Sequence, residues 1–532
     1  MTVLRRDLLK YASGGLAVAA APLATAGAAA APAHAASGFW ASVRSFGATG
    51  DGKTIDTAAI NRAIESAASA GGGTVFFPAG VYASYSIHLR SNVSLYLDQG
   101  ATILAASVPM EGTTSGGYDA AEPQNPAFEH YQDYGHNHWH NSLIWGEDIH
   151  SFSILGPGLI WGKGLSRGNE KDTDLPDTTK PGVGNKAIAL KNCYNVILRD
   201  FSILQGGWFG VLATGVDNLT IDNLKIDTNR DGMDIDCCRN VRVSNCTVNS
   251  PWDDGICPKS SFALGYARPT DNLTITNCYV TGDYVLGSVL DGSWKKMPEG
   301  MAYGTGRIKC GTESNGGFRN ITISNCIFEN CHGLALETED GALCEDITVT
   351  NITMRGCKGA PLFFRLGSRM RGPQGVPVGV LKRVLLSNIT SSGAAVLPSI
   401  LSGIPGHNIE DIQISNFYLE QVGGASADMA ALMPPEKEAG YPDPEMFGHL
   451  PATGFFLRHI RNLEMSNVEI AVQAPDPRPA FWLHDLDGAD FFRVRVPKGA
   501  SAFDLKQVSG FRSFGSRGLA DVEFDGPETR KI

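Results

Sequence analysis

The chain has 532 residues, 43% of them hydrophobic and 19% charged, with a formal net charge of −11. Such a length can bury a large core without covalent staples. The acidic balance argues against a nucleic-acid partner, whose affinity rests on neutralising phosphates, and no apolar run beyond the N-terminal segment is long enough to span a membrane.

The N-terminus reads Leu4-Arg5-Arg6-Asp7-Leu8-Leu9-Lys10, then a run of small apolar residues from Gly14 to Ala30, then Ala33-His34-Ala35. This has the form of a twin-arginine export signal cleaved near residue 36. The expectation is a periplasmic or secreted protein whose residues 37–532 form one domain. Removing three basic residues and one acidic one takes the net charge to −13, so an anionic substrate would have to be drawn by a local basic patch. All eleven cysteines lie after this segment. An odd number cannot pair completely within one chain, no CxxC pair occurs, and several thiols follow an Asn in the same phrase, as Cys246, Cys278 and Cys326 do. Buried free thiols are expected rather than a disulfide framework.

Next along the chain, Thr57 to Ala67 has helical periodicity with Ile60 and Ile64 on one face, followed by a strand-and-turn phrase from Gly73 to Tyr82. From residue 218 a short phrase recurs in which aliphatic and hydroxyl side chains alternate and an Asn closes the unit. Copies run Asn218–Asn223, Asn240–Asn245, Asn272–Asn277, Asn320–Asn325 and Asp346–Asn351, and weaker ones end at Asn388, Asn416 and Asn467. The closing asparagines lie between 22 and 51 residues apart, which is the pattern of a solenoid with loops inserted on one side. Alternation predicts short half-buried strands, and an Asn at each bend can form a ladder with its copies above and below. The fold class predicted is all-β, a right-handed parallel β-helix whose open end is covered by the N-terminal helix. The stretches from about Val108 to Asn141 and from Gly424 to Leu450 fall outside the repeat and are expected to wall a cleft.

Two acidic stretches stand out, Asn229-Arg230-Asp231-Gly232 and Trp252-Asp253-Asp254-Gly255, with Lys259 shortly after. Asp231 and Asp253 are 22 residues apart. Neighbouring coils of a β-helix are separated by about 4.7–4.9 Å, so Asp231, Asp253 and Asp254 would converge on one patch. Crowded carboxylates push one pKa up, giving the protonated and ionised pair that glycoside hydrolysis needs. The plainer alternative is a set of Asp-rich turns.

The run from Gly206-Gly207-Trp208 through Asn229-Arg230-Asp231-Gly232 to Asp253-Asp254 and Lys259-Ser260 resembles glycoside hydrolase family 28, the polygalacturonases and rhamnogalacturonan hydrolases. Asp51 to Asp56 is similar to the start of pectate-lyase-superfamily chains. The resemblance implies a right-handed β-helix and an inverting hydrolase in which Asp253 protonates the leaving oxygen while Asp231 and Asp254 activate water. It departs from the polygalacturonase pattern in three places. Arg230 replaces a Thr, no His follows the Asp pair, and the Arg-Ile-Lys that grips a galacturonate carboxylate aligns with Ala335-Leu336-Glu337, the literal string Arg307-Ile308-Lys309 falling one coil early.

Asn229, Arg230, Lys259, Arg307, Lys309 and Arg365 are therefore candidate substrate contacts, the cations because a guanidinium can grip a uronate carboxylate with two hydrogen bonds. Glu337 could receive the hydroxyls of a neutral sugar such as rhamnose. Trp208 and Trp252 offer flat faces for sugar rings, and Asp291-Gly292-Ser293-Trp294 could close one end of the cleft. His136, His138 and His140 alternate as metal ligands can, but no carboxylate at a matching spacing completes a set, so a loop wall is expected there and neither metal nor cofactor. The expected substrate is a pectic poly- or oligosaccharide cut at a uronate- or rhamnose-bearing linkage from a chain end. Rival readings are a polysaccharide lyase on the same fold, using calcium and an Arg or Lys base, and a non-catalytic carbohydrate-binding β-helix.

Overall fold

The computed structural model describes residues 38–107, 117–167, 177–301, 303–499 and 501–532, with Phe39–Ile532 forming a single compact unit. The expected export signal lies outside the described residues. Among these, no helix is long and apolar enough to cross a membrane.

The predicted β-helix is what forms. Nearly all strand pairs are parallel, each strand bonding to the equivalent strand one coil on. One face is a six-stranded sheet built in chain order from β1 (Ile87–His88), β2 (Ile144–Glu147), β3 (Lys186–Lys191), β4 (Phe209–Thr214), β5 (Asp231–Asp236) and β6 (Ile256–Lys259). Its inward column runs Ile144, Ile188, Val211, Met233 and Ile256, all fully buried. Ile308 bridges onto Ile256, and the column passes to β7 (Lys309–Cys310), β8 (Leu334–Thr338) and β9 (Leu362–Leu366). Apolar side chains at every second position thus share one continuous core.

The closing asparagines adopt left-handed backbone, with φ of 54° at Asn223, 58° at Asn245, 55° at Asn277 and 56° at Asn351. Asn tolerates this region better than other non-glycine residues, and each bend turns the chain into its next strand. The side-chain amides stack as the repeat predicted: Asn351 donates to Asn325 at 3.0 Å, Asn388 to Asn351 at 3.2 Å, Asn416 to Asn388 at 3.1 Å and Asn467 to Asn416 at 3.2 Å. All eleven cysteines are free and buried.

Helix α1 (Thr57–Ser69) buries Ala59, Ile60, Ala63, Ile64 and Ala67 against Phe39–Ser42 and Gly73–Phe77, covering the N-terminal end. Its leading Asp56 does not cap the helix; its carboxylate accepts from the N–H groups of Thr49 at 2.7 Å and Gly50 at 2.9 Å. The far end closes in a way the repeat does not announce. Val522–Phe524 and Glu528–Lys531 fold back antiparallel onto Phe503–Phe514, so the last coil meets a reversed strand instead of leaving its edge bare.

Candidate active site

Asp231 opens β5, and the Asp253–Asp254 pair lies just before β6. Phe209 faces Asp231 at a 22-residue offset, but Met233 faces Ile256 at 23. The extra residue sets Asp254, not Asp253, level with Asp231, and pushes Asp253 outward. The Asp254 N–H donates to Asp231 Oδ1 at 3.1 Å. A column of glycines stands behind the acids: a Cβ on Gly210 would lie 2.5 Å from Gly232 O, and one on Gly232 would lie 2.4 Å from Gly255 O. No side chain fits there, which is why Asp231 and Asp254 are each followed by glycine.

The three carboxylates do converge, with oxygens within 4.8 Å of one another, but in three different environments. Asp254 is 2% exposed. Burial alone would raise its pKa, yet Arg307 Nε at 2.7 Å from one oxygen and Lys309 Nζ at 2.5 Å from the other hold it well below the usual carboxylate range. Asp231 is pushed well above that range by burial and by the neighbouring acids Asp253 and Asp234. Asp253 is the most open of the three and pairs with Arg230, at 3.3 Å to Nε and 3.2 Å to Nη2. Arg230 in turn lies over the Trp208 ring, 4.8 Å from its centroid.

Asp231 and Asp253 line a cavity of about 130 Å³ with Trp208, Arg230, Lys259, Lys309, Asp133 and His136. That is room for roughly four waters, or for the end of one sugar ring. The segment of α2 (Tyr134–Asn137) forms one wall, as expected of the 108–141 stretch, whose residues 108–116 lie outside the described set. Tyr441, from the 424–450 stretch, forms another, as does Thr312, whose hydroxyl lies 3.4 Å from that of Tyr441.

Several substrate candidates sit elsewhere. Arg365 is fully buried; it donates to Ser402 Oγ at 3.0 Å and to the carbonyls of Gly403, Glu436 and Lys437 at 2.9, 3.0 and 3.1 Å. It is a strut under the 424–450 loop, not a substrate contact. Glu337 is fully buried beneath the cations, 3.7 Å from Arg307 Nη2, and burial raises its pKa; it cannot receive sugar hydroxyls. Arg307 is 3% exposed and does not line the cavity, so it acts through Asp254. Trp252 lies outside the cavity and donates its Nε1–H to Met301 O at 3.1 Å. Trp294 packs edge-on against Tyr279 and Tyr284 and does not close the pocket. Asn229 lines an adjoining crevice, its carboxamide oxygen accepting from Arg167 Nη1 at 2.7 Å and Nε at 2.9 Å.

Lys259 does reach the cavity, bound to Glu313 at 3.1 Å. Burial would lower its pKa, but Glu313, Asp234 and Asp231 raise it well above the ordinary lysine value. Asp234, the fourth residue of β5, carries no motif of its own yet sits fully buried below the acids, with Lys259 Nζ at 4.0 Å and His136 Nδ1 at 3.7 Å. Burial pushes it up to about 6. Its ordinary value is near 3.8, so the unfolded chain releases this proton first and stability drains away as pH rises from about 4 to about 6, then levels off. Unfolding free energy measured across that window should fall by about 1–3 kcal/mol more in the wild type than in Asp234→Asn; parallel curves would show that the group is ionised throughout.

The carboxylates that sequence spacing did not supply to the histidine run are present in space. Glu122 and Glu147 come within 4.8 Å of His140, Glu147 accepting from His140 Nε2 at 2.7 Å. Lys191 Nζ, 2.8 Å from Glu147, already balances charge there.

Comparison with known proteins fits this geometry. Residues 40–143 match the model of a pectate-lyase-like family, rhamnogalacturonase A/epimerase, and residues 177–295, which contain all three acids, match that of a right-handed β-helix region. A probable polygalacturonase of Vitis vinifera is 25% identical over 399 residues, covering 71% of this chain and 73% of the relative. An exo-poly-α-D-galacturonosidase of Dickeya chrysanthemi is 26% identical over 40% of the chain and 33% of its own length. Among solved structures, the family 28 exopolygalacturonase of Yersinia enterocolitica superposes with a TM-score of 0.60 at 18% identity, covering 87% of this chain and 78% of that one. The exopolygalacturonase of Thermotoga maritima gives 0.58 at 18%, covering 81% and 92%. The chain is a right-handed parallel β-helix, pectate-lyase-like over residues 40–143, similar in sequence to a polygalacturonase and in fold to the exopolygalacturonases of glycoside hydrolase family 28.

Proposed function

We propose that the protein is an exo-acting glycoside hydrolase that removes uronate units from the end of a pectic chain or oligosaccharide. The observation that carries this reading is the trio of acids in unlike environments: Asp254 gripped by Arg307 and Lys309, Asp231 buried beside other acids that push its pKa well above the carboxylate range, and Asp253 partly exposed at the open side of the cavity. Hydrolysis of a glycosidic bond needs a proton for the leaving oxygen and a base for water. Asp253, nearest the open side, delivers the proton to the leaving oxygen, and the proton that Asp231 stores keeps that acid supplied. Once Asp231 has given its proton up, it and Asp254 draw the proton from a water that attacks the anomeric carbon.

Inversion follows from occupancy. Both oxygens of Asp254 are already engaged by Arg307 and Lys309, and Asp231, once it has given up its proton, still accepts the Asp254 N–H on one oxygen, so both are placed to draw a proton from water rather than to form a covalent intermediate. A cavity of about 130 Å³ walled by Tyr441 and the Asp133–His136 segment favours a chain end over a run of sugars. The buried position of Glu337 removes the residue that favoured a neutral rhamnose. The N-terminal sequence supports export to the periplasm or beyond, where such a polymer would be met.

The test is incubation of the protein with polygalacturonan, rhamnogalacturonan and their oligosaccharides, with and without chelator, following products by mass. Saturated monomer or dimer, insensitive to chelator, is the expected product. Unsaturated, chelator-sensitive product would make the protein a lyase, and tight binding without product would make it a binding module.

A further inference from the structure

The acid cavity is lined by four cationic side chains, Arg230, Lys259, Lys309 and Arg371. Three are committed to protein carboxylates: Arg230 to Asp253 at 3.2 Å, Lys259 to Glu313 at 3.1 Å and Lys309 to Asp254 at 2.5 Å. Arg371 is not. It is exposed, and among the described residues its guanidinium has neither an ion pair nor a hydrogen bond.

Its backbone, in contrast, is held on both sides by buried side chains. The Arg371 N–H donates to Asp340 Oδ1 at 2.9 Å, and its carbonyl accepts from Asn315 Nδ2 at 2.7 Å. Asp340 is 1% exposed and Asn315 7%. Asp340 is itself fixed by Arg369, through Nε at 3.0 Å and Nη2 at 2.5 Å. The next residue is Gly372, where a Cβ would stand 2.7 Å from Asn315 Nδ2. A surface arginine whose backbone is clamped twice while its charged end faces a cavity unpaired is placed to meet something arriving there.

The cavity states what that is. Asp231, Asp253, Asp133 and Glu313 also line it, so an entering carboxylate would meet a field of its own sign unless an unspent cation faced it. We propose that Arg371 reads the carboxylate of the substrate, forming a two-pronged guanidinium–carboxylate contact that selects an ionised uronate over its methyl ester. This assigns to a loop residue the recognition for which Arg365 is unsuited by burial, and it rests on the hydrolase reading above.

The experiment compares kcat/KM for trigalacturonate and for its methyl ester in the wild type, Arg371→Gln and Arg371→Lys. The preference for the free acid should fall about 10- to 100-fold in Arg371→Gln, the loss expected for one charge-assisted hydrogen-bonded contact, and be partly restored in Arg371→Lys, which keeps charge but not the fork. An unchanged preference in Arg371→Gln overturns the proposal. Should the wild type cleave neither compound, the hydrolase reading fails separately, and calorimetric binding of the same two ligands decides the role of Arg371. Free-acid binding that is selective in the wild type and not in Arg371→Gln supports it; equal selectivity, or no binding of either ligand, overturns it.

Discussion

Replacing Asp253 by Asn should lower kcat on a pectic oligosaccharide by about 10²–10⁴-fold, the usual worth of a positioned general acid, and leave the free energy of unfolding within about 1 kcal/mol of wild type. The side chain is partly exposed and, among the described residues, its salt bridge is to Arg230, itself lining the cavity, so little folding energy depends on it. A glycoside whose leaving group needs no protonation, such as a nitrophenyl galacturonide, separates the roles of the acids. Asp253→Asn should retain most of its turnover there, within about tenfold of wild type, because the step it serves is no longer required. Asp231→Asn and Asp254→Asn should be impaired on both substrates, since water must still be activated. If instead Asp231→Asn is the variant rescued by the activated glycoside, the acid is Asp231 and the roles exchange. Full activity of Asp253→Asn on the natural substrate would remove the hydrolytic assignment.

Arg365→Met should destabilise the fold by about 3–5 kcal/mol, the cost of removing one partner from a buried ionic and hydrogen-bonded network. Arg365 and Arg458 lie side by side under Phe447, 5.4 and 5.2 Å from its ring centroid. Arg458 donates to the carbonyls of Pro434 and Pro435 at 3.0 Å each, and Arg365 to those of Glu436 and Lys437. Four successive carbonyls of one loop are thereby satisfied by two cations, and deleting Arg365 leaves two carbonyls without their donor and the buried Glu339 without the cation 4.0 Å from it. Urea unfolding of the wild type and variant measures the loss. A variant that unfolds normally but shows a raised KM would return Arg365 to the substrate, against its position in the structure.

How far the sequence could be read depends on whether a feature is periodic. The coils were legible because each Asn bend sits in the same local phrase, and the capping helix because Ile60 and Ile64 share a face. The three acids were legible because two acid–glycine phrases occur about one coil apart. Their division of labour came only with the family resemblance; the geometry behind it was not legible, since it depends on a single extra residue between β5 and β6 that sets Asp254 inward and Asp253 outward. The fates of Arg365 and Glu337 were hidden for a related reason. Alternation along a strand says whether a side chain points out of the coil, but not whether a loop from 70 residues away lies over it, as Glu436 and Lys437 lie over Arg365. Arg371 and Asp234 carry no motif and become visible only when the coils are stacked.

The glycine column behind the acids makes the active site a matter of vertical tolerance. Gly210, Gly232 and Gly255 let successive backbones close to their minimum separation, and the acids inherit their mutual distances from that closeness. A methyl group at position 232 would not touch any ligand, yet it would jack two storeys of the molecule apart and separate Asp231 from Asp254 in the process. The chemistry is therefore tuned from behind the wall, at positions a substrate never meets, and a redesign of this cleft that alters only the residues facing it would leave its most sensitive adjustment untouched.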